Sequence, residues 1–170
     1  MSQQTERARR PEEILAALNK SFQVFLEEAE SYPRELAQSK PSSKAFSATE
    51  ILYHMLDVER LWQTRIRGLI DGTIIHFQQM NPDALAIERR YNEKEYDRGL
   101  TDLRQSRTET HAIIRSLKPR ELELTGIHSK YGEMNVVRML EILEEHDHTH
   151  AAQLRRTLSQ VGHTKATTTQ

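Results

Sequence analysis

The chain of 170 residues contains no cysteine, so disulfides, thiolate-bound metals and cysteine nucleophiles are excluded by composition alone. Any metal ion must be held by nitrogen and oxygen ligands. An excess of charge is also absent, with 24 basic against 25 acidic residues and a formal net charge of −1. Phosphate binding needs a concentrated basic face, so nucleic acid is not an expected partner, and neither an acidic tail nor a membrane surface is suggested. No apolar run approaches the length of a membrane span, and the amino-terminal MSQQTERARRPEEI lacks the apolar core of a signal peptide. The expectation is a cytoplasmic protein without a membrane partner. There are no internal repeats, and the length suits one domain with a single core, expected over residues 1–162. The polar stretch 163–170, HTKATTTQ, reads as a tail with disorder as its default.

Helical periodicity dominates what is present. Ile14, Leu15, Leu18, Phe22, Phe25, Leu26 and Ala29 recur at helical steps, predicting a first helix from Pro11 to about Ala29 that stops near Tyr32–Pro33. Ser47-Ala48-Thr49-Glu50 is a capping box that opens a second helix with Ile51, Met55, Val58, Trp62, Ile66 and Leu69 on its inner stripe, closed by Asp71-Gly72. A long connection, Thr73 to about Asn92, shows too few periodic apolar positions to predict a helix. The third helix is expected from about Glu93 to Leu117, with Tyr96, Leu100, Leu103, Ile114 and Leu117 inward. After a second long connection, with at most a short extended segment, the fourth helix is expected to run from about Met134 or Asn135 to Gln160. Its inner stripe is Val136, Leu140, Leu143, His150, Leu154 and Leu158. Four long helices without convincing alternating strands predict an all-α, antiparallel four-helix bundle with long connections after helices 2 and 3.

Three histidines lie on or near the inward stripes. His146 and His150 are one turn apart in EEHDHTHAAQLRR, and His54 lies beside Met55 in the second helix. Side chains four apart on a helix are neighbours, so His146 and His150 can present two nitrogens to one ion, and bundle cores build metal sites from facing helices. Three neutral nitrogens suit zinc or nickel and leave coordination positions open for water or substrate. The other reading is that each is a hydrogen-bonded core residue, and pattern alone leaves both open.

The remaining candidates carry blander expectations. His148 points away from the pair and reads as solvated. His76, His111, His128 and His163 read as surface or loop residues, although His76 and His128 lie in the long connections and could approach the mouth of the bundle. Arg107 occupies a stripe position, and its expected state is a packed stem with the guanidinium in water; an interior cation aimed at an anionic substrate group is the second reading. Asp147, Glu145, Asp57 and Glu59 read as solvated charges that could also support the histidines. Trp62 reads as core.

The second helix SATEILYHMLDVERLW, the loop ending YGEMNVVRML and the last-helix run H-D-H-T-H-A-A-Q-L resemble the DinB/YfiT-like superfamily over most of the chain. The resemblance implies a four-helix bundle that holds a divalent metal by one histidine of the second helix and an H-x-x-x-H pair of the last, here His54, His146 and His150. It further implies a metal-dependent enzyme acting on a small molecule, either a transferase using a low-molecular-weight thiol as cosubstrate or a hydrolase, and a homodimer paired through helices. With no cysteine in the chain, such a thiol must come from a cosubstrate. The competing class is a non-catalytic stress or interaction bundle with core histidines.

Overall fold

The computed structural model describes residues 9–168, with side chains through His163. Helix α1 spans Pro11–Ser31, with Pro11 in its first turn and the Glu13 carboxylate accepting from the Arg10 N–H at 2.9 Å. It ends at Tyr32, which takes extended geometry before Pro33. Helix α2 spans Ala48–Ile70. Its capping box forms as read: Ser47 Oγ accepts from Glu50 N at 3.1 Å, and the Glu50 carboxylate accepts from Ser47 N at 2.8 Å. Gly72 closes the helix at φ 70, a left-handed geometry that glycine adopts without steric cost.

The first long connection is more structured than its sequence suggests. Strand β1 (His76–Phe77) precedes a short helix α3 (Pro82–Glu88), and Tyr91–Glu93 form a 3-10 turn. Asn81 Oδ1 accepts from Ala84 N at 3.1 Å, so Asn81-Pro82-Asp83 is a helix start and not only a turn. Only Ala86 of α3 is buried, which is why no apolar period announced it. Helix α4 then runs Tyr96–Ser116, beginning later than expected because the 3-10 turn occupies its predicted first residues.

The second connection holds helix α5 (Pro119–Leu122) and strands β2 (Thr125–His128) and β3 (Gly132–Asn135). Strands β2 and β3 pair antiparallel, and β1 joins β2 in parallel, giving a small sheet absent from the all-helical expectation. Strands this short carry almost no alternation to read. Helix α6 runs Val136–Thr168. It continues past the expected end at Gln160 because Val161 packs into the core and no proline follows. Residues 169 and 170 of the expected tail lie outside the described residues.

The four long helices form a bundle as expected, though its neighbours are not all antiparallel; α1 and α2 each pack against both α4 and α6. Contacts pair Arg9 with Glu144, Ser21 with Asp147 and Glu28 with Arg155, so α1 and α6 run parallel. Tyr96 reaches the Ala29 carbonyl and Arg107 the Leu18 carbonyl, so α4 is antiparallel to α1. Tyr53 meets Glu95 and Gln63 meets Ser106, making α2 parallel to α4 and hence antiparallel to α6. A parallel α2–α4 pair requires the chain to travel back along the bundle, which is the task of the first long connection.

The apolar interior falls into two clusters. One gathers Phe22–Tyr32, Ile51–Leu56, Tyr96–Leu103 and Ala151–Val161; the other gathers Ile14, Leu18, Val58–Leu69, Ile113–Leu117 and Val136–Leu143 with Phe77 from the sheet. Between them lies a buried polar layer that includes Ser21, Glu59, Gln63, Ser106, Arg107, Thr110 and Asp147.

Candidate metal centre

Arg107 is the centre of that layer, which corrects the expectation that its head lies in water. Its side chain is 2% exposed, against 1% for Glu59 and 0% for Asp147. Nε and one amino group donate to Glu59 at 2.9 Å each, and both amino groups donate to Asp147 at 2.8 Å. The remaining N–H donates to the Leu18 carbonyl at 3.2 Å, so every donor of the fork has a partner. Ser21 Oγ donates to Asp147 at 2.6 Å, and Thr110 Oγ1 donates to Glu59 at 2.5 Å. Burial pulls the guanidinium pKa down, but Glu59 and Asp147 outweigh it and the pKa is raised. Glu59 and Asp147 are thus core residues and not solvated charges. The signal was in the phase: Arg107 lies four after Leu103, and Asp147 four after Leu143, so charges of opposite sign share the inward stripes.

Asp147 follows His146 directly, so the layer abuts the three histidines. Antiparallel packing of α2 on α6 brings His54, His146 and His150 together, with one ligand nitrogen of each within 4.8 Å of the others. Ring centroids lie 4.2–5.0 Å apart, and Nε2 of His54 is 3.1 Å from Nε2 of His146. His150 Nδ1 lies 2.6 Å from Gln153 Oε1. The amide oxygen can only accept, so Nδ1 carries the proton and Nε2 keeps its lone pair. Gln153 was visible only as part of the H-x-x-x-H-A-x-Q-L string, and its contact supplies the reason for that residue.

These residues fit a divalent ion. An ion bound tetrahedrally at about 2.0–2.1 Å holds its nitrogens about 3.3 Å apart, close to the 3.1 Å between His54 and His146. Burial lowers the pKa of all three rings, that of His54 to about 3, with mutual repulsion adding to the effect at His54 and His146. At neutral pH each is uncharged and has a lone pair to give. The buried Nδ1 atoms of His54 and His146 have no partner among the described residues.

Two cavities reach the cluster. One, of about 400 Å³, lies between the 41–46 segment and the later turns of α6, with Lys44 and Arg156 at its edge; the other, of about 230 Å³, lies toward the sheet. His54 and His150 border both. His128 lines the second cavity, 2% exposed and with its ring on Trp62. The surface reading of His128 is therefore corrected, and its approach to the bundle mouth is realised because β2 folds over α2.

His148, His76, His163 and Glu145 are exposed, as expected. His111 is half-buried on α4, and its sealed Nε2 has no partner among the described residues; burial first, then Arg107 and Arg115, lower its pKa to about 4. Asp57 pairs with Arg89 at 2.7 Å and accepts from the Tyr91 hydroxyl, pinning the end of the first connection to α2.

Among curated proteins no sequence matches significantly. Among solved structures, YfiT from Bacillus subtilis, described as a probable metal-dependent hydrolase with an unusual four-helix bundle topology, superposes with a TM-score of 0.78 at 11% identity, covering 95% of this chain and 93% of that one. The colibactin self-resistance protein ClbS, solved in complex with dsDNA, gives a TM-score of 0.67 at 17% identity over 86% of this chain and 94% of its own. TT2238, a four-helix bundle protein, gives 0.63 at 18% identity over 86% and 98%. At these identities the likeness speaks for the fold. The sequence itself goes further: the DinB superfamily model matches residues 10–154, a span that contains all three clustered histidines, and the chain belongs to that superfamily.

Proposed function

We propose that the protein is a divalent-metal-dependent enzyme acting on a small molecule, with His54, His146 and His150 as the metal ligands and zinc or nickel as the ion. The observation that carries this reading is the convergence of three neutral imidazole nitrogens between two cavities. A bound ion there supplies Lewis acidity and lowers the pKa of a water or a small thiol. The chain's own residues set the geometry. Gln153 fixes the His150 tautomer, and the Arg107 layer holds α6 against α1, α2 and α4 so that the two α6 histidines keep their register. One cation between two carboxylates leaves that layer formally negative, which favours a cation beside it.

Between S-transfer and hydrolysis, two cavities meeting at one cluster favour transfer, because a two-substrate reaction needs two seats. The thiol would be a low-molecular-weight cosubstrate, since the chain has no cysteine. The DNA seen with ClbS does not change this reading: with 24 basic against 25 acidic residues, this chain has no net positive charge to favour a polyanion. A homodimer paired through helices remains part of the proposal. Zinc- and nickel-loaded protein incubated with small thiols and electrophiles, followed by mass spectrometry, tests it. An S-adduct formed by wild type and lost in His150→Ala supports transfer, a cleaved product without the thiol supports hydrolysis, and no turnover with any metal counts against an enzyme.

A further inference from the structure

Arg65 is 5% exposed, yet no carboxylate is among the charges acting on it. Its guanidinium lies 4.6 Å over the Trp62 ring and 5.5 Å over Phe77, and an amino group donates to the Gln78 carbonyl. Burying a cation without a counter-charge is costly. This one borders the cavity of about 230 Å³ that also reaches His54, His146 and His150, and no acidic residue lines that cavity.

A second donor faces the same space. His128 Nδ1 accepts from the backbone N–H groups of Lys130 at 3.0 Å and Tyr131 at 3.3 Å. A ring nitrogen that accepts carries no proton, so the neutral ring bears its hydrogen on Nε2. No described residue accepts from Nε2, and the ring packs against Trp62 and Tyr131, with centroids 6.0 and 4.8 Å away.

We infer that Arg65 and the Nε2–H of His128 form a recognition site for a carboxylate carried by the substrate, beside the three-histidine cluster. A planar two-oxygen anion matches a guanidinium that lies over the Trp62 and Phe77 rings and has given one amino group to the Gln78 carbonyl. One cation and one neutral donor balance a single charge and not the dianion of a phosphate. Val58, Leu61, Met80 and Ile142 supply apolar walls, so the ligand class is a small monocarboxylic acid with an apolar or aromatic body. The inference rests on the reading of this cavity as the substrate seat of a metal-dependent enzyme, and its test does not need turnover.

Benzoate, benzamide and inorganic phosphate are titrated by NMR into metal-free and zinc-loaded protein. Wild type is expected to bind benzoate in both forms and to bind neither benzamide nor phosphate comparably. Arg65→Gln is expected to weaken benzoate at least about tenfold in both forms, Arg65→Lys to restore part of the loss, and His128→Phe, which keeps the ring packing, to weaken it severalfold. If Arg65→Gln does not fold, Arg65→Lys and His128→Phe decide. Benzoate affinity unchanged in those variants but lost in His54→Ala means that the ion alone holds the carboxylate and overturns the inference, as does no saturable benzoate binding by wild type. A protein that takes up no metal but whose benzoate affinity still follows Arg65 refutes the metal reading and leaves this one standing.

Discussion

Removing Arg107 is the sharpest perturbation of the fold. Arg107→Ala deletes a cation whose side chain is 2% exposed and leaves Glu59 and Asp147, at 1% and 0%, with their negative charges facing each other across a void. Breaking a buried ion pair from one side costs about 3–5 kcal/mol, most of it the uncompensated charge left behind. With a urea m-value of roughly 2 kcal/mol per molar, the midpoint should fall by about 1.5–2.5 M. The loss should depend on pH with a definite sign. In the variant both carboxylates are buried without a counter-cation, Asp147 keeping only Ser21 and Glu59 only Thr110 as side-chain donors, so loss of the guanidinium favours their protonated forms. A group with a raised folded pKa contributes stability below its unfolded pKa and loses it as the pH climbs through the folded one. The gap between wild type and Arg107→Ala should therefore narrow as pH falls from 7 to 5; His111 and His146, which Arg107 helps to hold below the ordinary histidine value, are released by its loss and act in the same direction. Urea melts of metal-free protein at several pH values measure this. A loss under about 1 kcal/mol at pH 7, or a gap that widens on acidification, refutes the claim that the layer is a coupled buried ion network.

The metal-free protein should itself lose stability as pH falls below about 6.5, because burial lowers the folded-state pKa of His54 to about 3 and depresses His146 and His150 as well. The unfolded chain then binds more protons, and urea midpoints at pH 7 and 5 in the presence of chelator should show a smaller drop in His54→Leu than in wild type. Gln153→Ala removes the partner that orients His150; metal affinity by competition with a chromophoric chelator should weaken about 10–100-fold while the helical circular dichroism is unchanged. Ser47→Ala removes the α2 cap and should cost about 1 kcal/mol in a thermal melt without altering metal content.

The long helices were legible because burial imposes a period: Ile51, Met55, Val58, Trp62, Ile66 and Leu69 are all buried as their spacing required. The capping box of Ser47 and Glu50 was equally plain, since its two contacts lie within four residues. The three histidines were readable as candidates because His146 and His150 sit a turn apart and His54 rides an inward stripe. Helix α3 and the small sheet were not readable, because α3 buries only Ala86 and β1 spans only His76–Phe77. Arg107 was misread for a different reason. A lone cation on an apolar stripe is usually a snorkelling side chain, and only its pairing with Glu59 and Asp147 from two other helices makes it a core residue. Local spacing places each charge on an inward stripe but does not say which of them meet across helices. His128 and Arg65 were hidden likewise, since their meeting beside Trp62 depends on how β2 returns over α2.

Metal binding by the histidine cluster decides between an enzyme and a helical interaction module. Gently purified, untagged wild type and the variants His54→Ala, His146→Ala and His150→Ala should be compared by elemental analysis, with metal-to-protein ratios for each. The prediction is about one zinc, nickel or similar ion per wild-type chain, lost in all three variants while circular dichroism shows the bundle intact. Wild type that takes up no metal even after incubation with divalent ions, or variants that keep it, would contradict the metal reading and leave a helical module whose clustered histidines are hydrogen-bonded core residues.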